Sequence, residues 1–319
     1  MTTRLPSLAR FLLCAALALL LSSCMHLRDP HARSHPLTGK IWDVAAGRFV
    51  EPSAVVERAL AARFVLLGEI HDNVEQHRIQ ARLLEAIVQG GKRPALVMEQ
   101  YDVEQQDQLN GALQGGSTQG DKLRVLSDLM RKGWDWPLYA PLVTVAVQQK
   151  LPLIAANMPR EALRKVAREG YGVLGSGAEA RLAIERVWSP ERQQQLAQEI
   201  AFGHCGKVPD HMLEAIAKSQ RARDAVMADM LLLVRKTGGV AIIGRNHARL
   251  DMGVPLYLAA RAPDDKVLSV GLMEVDPRTT DPAAYAIGPL GPLHDYLWFT
   301  QPTRRKSDPC DSIPAAAKR

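Results

Sequence analysis

Apolar residues follow two alternating patterns along this chain. Five continuous apolar runs are typical of strands that are buried on both faces of a sheet. Between the runs, apolar residues recur every three or four positions, as at Ile79, Leu83 and Ile87, which indicates amphipathic helices. The strands predicted in this way cover 64–68, 95–99, 153–157, 240–244 and 266–275.

The alternation of strands and helices predicts an α/β fold with a mainly parallel central sheet covered by helices on both faces. A hairpin over 40–50 and a helix over 53–62 precede the first strand, and a helix over 74–89 follows it. Further helices are expected over 103–149 and over 178–236. These long helical stretches predict a large helical insertion or subdomain beside the sheet.

The first two dozen residues have the pattern of an export signal. Arg4 and Arg10 precede an apolar run over 11–21. Eleven residues rise only about 16 Å as a helix, which is too short to cross a hydrocarbon core of about 30 Å. The sequence Leu-Ser-Ser-Cys that ends at Cys24 resembles the lipobox of bacterial lipoproteins, whose cysteine is acylated and holds the protein to a bilayer. An ordinary secretory signal with an incidental cysteine is the alternative.

By the rule of thumb for such lipoproteins, Met25 instead of aspartate after the cysteine indicates the outer membrane of a Gram-negative cell, facing the periplasm. Two further cysteines, Cys205 and Cys310, either pair in this oxidising compartment or stay free. The predicted organisation is a lipoprotein signal peptide over 1–23, a lipid-anchored tether over 24–39, one α/β domain over 40–300, and a disordered tail over 301–319.

Composition and charge exclude several classes of protein. Hydrophobic residues make up 47% and charged residues 23% of the chain, which is ordinary for a globular protein and argues against disorder or a polytopic membrane protein. The formal charge of +6 is spread along the chain instead of being gathered in a block. We therefore expect no nucleic-acid partner.

Polar side chains follow the predicted strands directly. The motif Gly-x-x-His occurs after two of them and ends at His71 and at His247, and Glu69 and Glu99 also lie at strand ends. Parallel strands end at one edge of the sheet, where open α/β folds bind ligands. A buried carboxylate without a partner is unfavourable. We therefore expect these four side chains to pair with one another or to hold a divalent transition metal, the alternative being that individual residues only cap helices.

Together these motifs resemble the ChaN-like haem-binding lipoproteins of the Tiki superfamily, which also contains metal-dependent proteases and erythromycin-esterase-like hydrolases. The resemblance covers roughly 40–275. The matching positions are 66–73, His77, Gln80, Leu84, 95–100, Gln106, Leu109, Trp134, Tyr139, Pro141, 155–157, His211, Met212, Gln220, Asp224, Met227, Ala228, 244–247 and 253–255.

The resemblance implies a membrane-anchored protein that binds haem in iron acquisition, with a homodimer that encloses the cofactor and an outer-membrane haem uptake receptor as further partners. It also implies a tyrosine ligand to ferric iron. Tyr139, in the aromatic stretch 134–141, is the first candidate, and Tyr101, two residues past a predicted strand, is the second. A plain core position for Tyr139 is the alternative.

The segment 202–211 offers further candidates for haem binding. His204 and His211 suit iron or a propionate, and Lys207 suits a propionate. A simple loop between two helices is the alternative. The charges on the following helix, among them Arg221, Arg223 and Asp224, are interpreted as a solvated face.

Two functions are consistent with the sequence. The first is haem binding, which needs a pocket and a ligand but no catalytic base. The second is metal-dependent hydrolysis of the protease or esterase kind, in which His71, His247 and a glutamate hold the metal and Glu69 or Glu99 acts as the general base. The lipobox and the extent of the resemblance favour haem binding.

Overall fold

The computed structural model of the protein describes residues 35–116 and 118–312. The predicted signal peptide over 1–23 and the candidate lipidation site Cys24 lie outside the described residues. Within the described part of the chain, no helix is both long and apolar enough to cross a membrane.

The strands form one eight-stranded sheet and a separate two-stranded hairpin. Their bounds are β1 Ile41–Asp43, β2 Arg48–Val50, β3 Phe64–Glu69, β4 Ala95–Asp102, β5 Leu153–Asn157, β6 Gly239–Gly244, β7 Val267–Glu274, β8 Ile287–Gly288, β9 Gly291–Pro292 and β10 Tyr296–Thr300. In the large sheet the order is β2-β1-β10-β7-β3-β6-β4-β5, and the six strands from β10 to β5 are parallel. The hairpin of β1 and β2 adds antiparallel strands next to β10. The predicted α/β class with a mainly parallel sheet is therefore confirmed.

The α-helices alternate with these strands. Their bounds are α1 Pro52–Ala61, α2 Val74–Gln89, α3 Gln106–Gln114, α4 Gln119–Leu129, α5 Trp136–Gln148, α6 Arg160–Glu169, α7 Ala178–Leu182, α8 Pro190–Gly203, α9 Asp210–Leu233 and α10 Val254–Arg261. A short 3-10 helix, Arg245–Ala248, follows β6 directly.

Helices cover both faces of the sheet, which explains why its central strands are apolar throughout. Along β3, Val65 and Leu67 pack into a core formed with α1 to α5. Phe64 and Leu66 point the other way, into a core formed with α6, α7, α9 and α10. Every residue of β3 is buried, because side chains that alternate in direction meet a helical layer on either side.

The connections that follow β3 and β6 run to opposite faces of the sheet. These two strands are neighbours, yet β3 leads into α2 on one face and β6 leads into α10 on the other. The diverging connections leave a crevice outside the carboxyl ends of both strands, the usual position of a ligand in an open α/β sheet.

One strand of the sheet is not predicted from the sequence. β10 pairs in parallel with β7, with Tyr296 opposite Val270, and in antiparallel with β1. Its apolar stretch is short and lies among turn-forming residues, so neither length nor periodicity distinguishes it from a loop.

Parts of the segments predicted as a tether and a tail contact the domain. Leu37 is buried in a small core beside Phe299. Arg305 forms ion pairs with Asp72 and Glu274. Cys205 and Cys310 form a disulfide with their Cα atoms 5.8 Å apart, so the open question of their pairing is answered within the structure.

Candidate functional site

A cavity of about 420 Å³ lies at the carboxyl ends of β3 and β6. Its floor is formed by the residues that end these strands, and its walls are one face of α8 and one face of α9. The α9 residues that line it are Ile216, Gln220, Arg223 and Asp224, whose spacing places them on one side of the helix. The predicted strand-end residues Glu69, His71 and His247 line the same cavity.

The turn after β3 holds His71 at the cavity by a set of local hydrogen bonds. Asn73 caps α2, because its side chain accepts from the backbone N–H groups of Glu75 at 3.1 Å and Gln76 at 3.2 Å. The side chain of Gln76 in turn accepts from the backbone N–H of Ile70 at 2.7 Å. The short polar segment between strand and helix is therefore fixed in one path.

Glu69 is buried beneath His71, and its carboxylate is surrounded by donors. Oε1 accepts from the Tyr139 hydroxyl at 2.6 Å and lies 3.0 Å from Nδ1 of His71. Nδ1 of His77 lies 3.0 Å from Oε2, and Gln100 donates to Oε1 at 3.4 Å. Burial by itself raises the pKa of Glu69, but the hydrogen bonds from His71 and His77 outweigh it and lower the pKa to about 2.

His247 has a different environment at the end of β6. Its Nδ1 forms a short hydrogen bond with Asp224, and its Nε2 lies 3.4 Å from Oε1 of Glu99. Glu99 also accepts from the backbone N–H of Gly244 at 2.7 Å and lies 3.6 Å from Arg223. Two carboxylates and two cations therefore lie together at the cavity, and all but Arg223 are almost fully buried.

The charges of this group fix the protonation of its members. Burial lowers the pKa of His247, but the nearby carboxylates of Asp224 and Glu99 more than offset this and raise it to about 9. Burial of Glu99 acts to raise its pKa, yet His247 and Arg223 hold it well below its usual range. The two carboxylates therefore favour the imidazolium form of His247, whose Nδ1 donates to Asp224 and whose Nε2 lies within ion-pair distance of Glu99.

Other parts of the chain pack closely against the glycines of the two motifs. A Cβ on Gly68 would lie 2.8 Å from Cβ of Ala248 and 2.9 Å from Cα of Arg245, so β3 packs directly on the 3-10 helix that follows β6. A Cβ on Gly244 would lie 3.0 Å from Cε1 of His71 and 3.4 Å from Cδ2 of His247. The two histidine rings therefore approach each other across Gly244.

Two arginines and an apolar wall complete the cavity. Arg223 donates to the side chain of Gln220 at 2.7 Å in addition to its contact with Glu99. Arg245 contacts Sδ of Met273 at 3.6 Å, and it forms no ion pair with a carboxylate within residues 35–116 and 118–312. The apolar wall consists of Leu196, Ile200, Ile216 and Met252. This combination suits an apolar ligand that carries acidic groups.

The two candidate tyrosines lie inside the protein. The Tyr139 hydroxyl donates to Glu69, and the Tyr101 hydroxyl donates to the backbone carbonyl of Leu126 at 3.0 Å. Both side chains are fully buried, and neither lines the cavity. The expectation of a tyrosine ligand to haem therefore gains no support from this geometry, whereas the core position considered for Tyr139 matches it.

The three candidates of the segment 202–211 lie in different environments in the structure, and His211 belongs to the first turn of α9. His204 lines the cavity, with Nδ1 2.7 Å from the carbonyl oxygen of Ile200. His211 is exposed and does not line it. The Lys207 ammonium donates to the carbonyl of Cys310, on the segment that the disulfide joins to the loop between α8 and α9.

The predicted divalent-metal site at Glu69, His71, Glu99 and His247 is not supported by the arrangement of these residues. Among the described residues, no group of three or more histidine, cysteine, aspartate or glutamate side chains has the arrangement of a metal site. The two glutamates are buried and accept from protein donors. The four residues instead form two separate histidine–carboxylate pairs.

The interpretation of the α9 charges as a solvated face is wrong for two residues. Asp224 is 1% exposed and Arg221 is 2% exposed, because this side of the helix packs toward the sheet and the cavity. The small residues Ala225 and Ala228 next to Asp224 were the available signal, since alanines allow a helix to pack closely. Arg245 carried no comparable signal in the sequence.

Residues 55–258 match the family model described as haem-binding uptake, Tiki superfamily, ChaN. A structure of ChaN of Campylobacter jejuni, solved for its cofacial haem binding, overlaps with a TM-score of 0.64 at 21% identity, over 81% of this chain and 95% of that one. An erythromycin esterase structure overlaps with a TM-score of only 0.41 at 15% identity, over 80% of this chain and 79% of that one, a likeness too low to support an inference.

Among curated proteins, the chain is 25% identical over 309 residues to Protein RETICULATA-RELATED 5, chloroplastic, from Arabidopsis thaliana. The match covers 84% of this chain but only 39% of that protein, so the chain spans about two fifths of the relative's length. The overlap with the Campylobacter protein independently supports the fold.

Proposed function

This chain belongs to the haem-binding uptake family of the Tiki superfamily that includes ChaN, and we propose that it binds ferric haem in the cavity between β3, β6, α8 and α9. Haem presents an iron with an open axial position, a flat apolar ring and two propionates. A protein that holds it must therefore supply a ligand atom, an apolar surface and cations.

The observation that carries the proposal is the meeting of these three elements in one cavity. His71 and His204 offer imidazoles, and Arg223 and Arg245 offer guanidinium groups for the propionates. Four apolar side chains of the cavity wall face the same space. The volume of about 420 Å³ lies within the usual range of ligand pockets, about 300–1,000 Å³.

Haem titration tests the proposal directly. Ferric haem added to the purified full-length chain in detergent is expected to give a saturable change in the Soret band. Ile216→Trp fills the cavity from α9 and should weaken haem binding at least tenfold. The matched control Met212→Trp changes a residue one turn away on α9 that is 46% exposed and does not line the cavity, so it should bind as the wild type does. A wild-type chain without a saturable change, or equal affinities for the two variants, would refute haem binding here.

We further propose that acylated Cys24 holds the protein to the outer membrane, facing the periplasm, and that the bound haem serves iron acquisition together with a haem uptake receptor. The lipobox sequence and the uptake role in the family description support this. After expression in a Gram-negative host, the wild-type chain should fractionate with outer membranes and Cys24→Ser should not. Identical fractionation of the two proteins would refute the anchor.

The alternative function, hydrolysis at a divalent metal, is less well supported. It requires Glu69 or Glu99 to act as a general base or ligand, and each of these carboxylates already accepts a hydrogen bond from the protein through one of its oxygens.

A further inference from the structure

The segment 301–312, which we call the strap, crosses the edge of the sheet at which the cavity lies. The backbone N–H of Thr303 donates to Oε1 of Glu274 at 2.8 Å. Arg305 donates to the carboxylate of Asp72 at 2.6 Å and 2.8 Å and to that of Glu274 at 3.0 Å. Asp72 directly follows a residue that lines the cavity. These contacts hold the strap against the turn after β3.

A disulfide holds the far end of the strap. Cys310 is joined to Cys205, in the loop that follows α8, and Lys207 of this loop donates to the carbonyl of Cys310. Cys205 comes directly after Gly203 and His204, which line the cavity. The strap therefore connects two sides of the cavity, the turn after β3 and the end of α8.

The turn that ends α8 places Cys205 in a conformation that suits glycine better. The backbone N–H of Gly206 donates to the carbonyl of Ala201 at 2.8 Å, and that of Cys205 donates to the carbonyl of Phe202 at 2.9 Å. These two bonds form the Schellman pattern of a helix end, whose left-handed residue is usually glycine. Cys205 has a φ of 57° in this turn, which is unfavourable for a residue with a Cβ. The disulfide is the covalent contact that keeps Cys205 there.

The helix that the disulfide holds is attached to the domain through a small core. This core is separate from the two large ones and consists of Trp188, Leu196, Ile200, Ala217 and Met252. Two of its α8 side chains also line the cavity, so the cavity itself lies between α8 and the strand ends. A segment with few buried apolar contacts opens at a lower free energy than the whole domain. The disulfide is therefore placed to control how often α8 moves away from the cavity.

We propose that the Cys205–Cys310 disulfide is a redox-controlled latch of the cavity. When the disulfide is formed, the strap holds α8 against the bound ligand and slows its release. When the two cysteines are thiols, α8 moves away more often and the ligand leaves faster. This inference rests on the proposed haem-binding function, and it confines tight retention of the ligand to an oxidising compartment.

Thiol–disulfide exchange closes the latch. One cysteine thiolate attacks a disulfide oxidant, and the second then displaces the oxidant's sulfur from the mixed disulfide. Two electrons and two protons pass from the protein to the oxidant, which leaves as two thiols. A dithiol reductant reverses the step and becomes a disulfide itself. Cys205 and Cys310 are both half-buried, so such a reagent can reach them.

Hydrogen–deuterium exchange of the haem-free full-length chain in detergent tests the latch without a ligand. In the double variant Cys205→Ala/Cys310→Ala, amides over 196–209 should exchange at least about tenfold faster than in the oxidised wild type, while those of β3 stay unchanged. Treatment with a dithiol should produce the same change in the wild type but none in the double variant. Lys306→Ala, which alters an exposed strap residue, is the matched control and should behave as the oxidised wild type.

Release of ferric haem to an excess of apomyoglobin, followed at the Soret band, tests the effect on the ligand. The double variant should release haem at least about tenfold faster than the oxidised wild type, since opening of the wall limits release. Wild type reduced with a dithiol, which is removed under nitrogen before haem is added, should match the double variant. Lys306→Ala should match the oxidised wild type.

The outcomes separate the latch from the proposed function. If the wild type binds haem and the double variant releases it at the same rate, the haem site stands and the latch is wrong. If the wild type binds no haem, the proposed function is wrong, and exchange over 196–209 alone decides whether the disulfide controls α8. Equal exchange rates in the wild type and the double variant would overturn the latch in either case. Faster exchange in β3 as well would show that the disulfide stabilises the whole domain and is no latch.

Discussion

The two Gly-x-x-His motifs end neighbouring strands, yet their histidines lie in opposite environments. The His71 side chain is 52% exposed and has one carboxylate partner, whereas His247 is 5% exposed and lies between two. The difference arises from other elements, since Asp224 on α9 and Glu99 on β4 reach His247 but not His71. The same spacing therefore places one histidine as a ligand candidate and the other in a structural ion group.

The ion group around His247 balances its own charge. Asp224 and Glu99 are negative, while His247 and Arg223 are positive, and three of these four side chains are almost fully buried. Removing one charge from such a group leaves the others unbalanced in a poorly solvated place. His71 is coupled to a single carboxylate that has other donors, so its loss disturbs less.

The largest effect is expected from His247→Ala. The change leaves Asp224 and Glu99 opposite Arg223 alone, so the free energy of unfolding should fall by about 3–5 kcal/mol. The matched variant His71→Ala leaves Tyr139 and His77 on Glu69 and should lose only about 1 kcal/mol. Urea unfolding at pH 7, followed by circular dichroism, measures both. Equal losses would mean that the two motifs do not differ in the way the structure indicates.

The dependence of stability on pH above 6.5 should come mainly from His247. Its pKa is raised to about 9 in the folded state, above the ordinary value of 6.5, so its contribution is complete below pH 6.5 and is lost as the pH rises through 9. One pKa unit corresponds to about 1.4 kcal/mol, which makes about 3.5 kcal/mol the upper limit of this loss.

Urea unfolding of the wild type between pH 6.5 and 9.5 should show this fall. His247→Gln should remove most of it, and His71→Gln should keep it; the raised pKa of His77 beside Glu69 accounts for the part that remains. A wild-type stability that stays level across this range would argue against a buried imidazolium.

The glycines of the two motifs should differ in their tolerance of alanine. A Cβ at Gly68 meets the backbone of Arg245 and the short side chain of Ala248, neither of which can move freely, so Gly68→Ala should cost about 1–3 kcal/mol of stability. A Cβ at Gly244 meets the edge of the His71 ring, which can turn toward solvent.

Gly244→Ala should therefore lose less than about 1 kcal/mol but displace His71 and alter the spectrum of the haem complex. Thermal unfolding and the Soret band report the two effects separately. The reverse order of stabilities, or an unchanged spectrum for Gly244→Ala, would contradict the packing described here.

The sequence carried enough information to place the site but not to assign its roles. Continuous apolar runs that end at Gly68 and Gly244 were sufficient to locate two strand ends, but only the structure shows that the two strands are neighbours. The partner of His247 was not predictable, because α9 carries charges on several faces and periodicity does not show which face meets the sheet. Asp224 and His247 are separated by 23 residues, and only the packing of α9 brings them together.

The same limit applies to Tyr139 and to β10. Tyr139 lies 70 residues from Glu69, and an aromatic stretch in the sequence does not reveal that its hydroxyl is directed inward. β10 is stabilised by pairing with β7 and β1, which are distant along the chain, so a short apolar patch was the only local signal.

A small effect is also expected at Tyr139, whose hydroxyl contacts Glu69 and not the ion group of His247. Tyr139→Phe removes one donor from the Glu69 carboxylate, and a hydrogen bond to a charged group contributes about 1.5–3 kcal/mol. The remaining contacts from His71, His77 and Gln100 reduce the expected loss to about 1 kcal/mol. Because the hydroxyl does not reach the cavity, the ferric haem spectrum should keep its wild-type ligand signature. Tyr101→Phe, which loses a neutral hydrogen bond to Leu126 in the same core, is the matched control for stability. If Tyr139→Phe lost the wild-type signature, the tyrosine would be the residue that contacts the haem iron. Both histidine motifs would then be purely structural pairs.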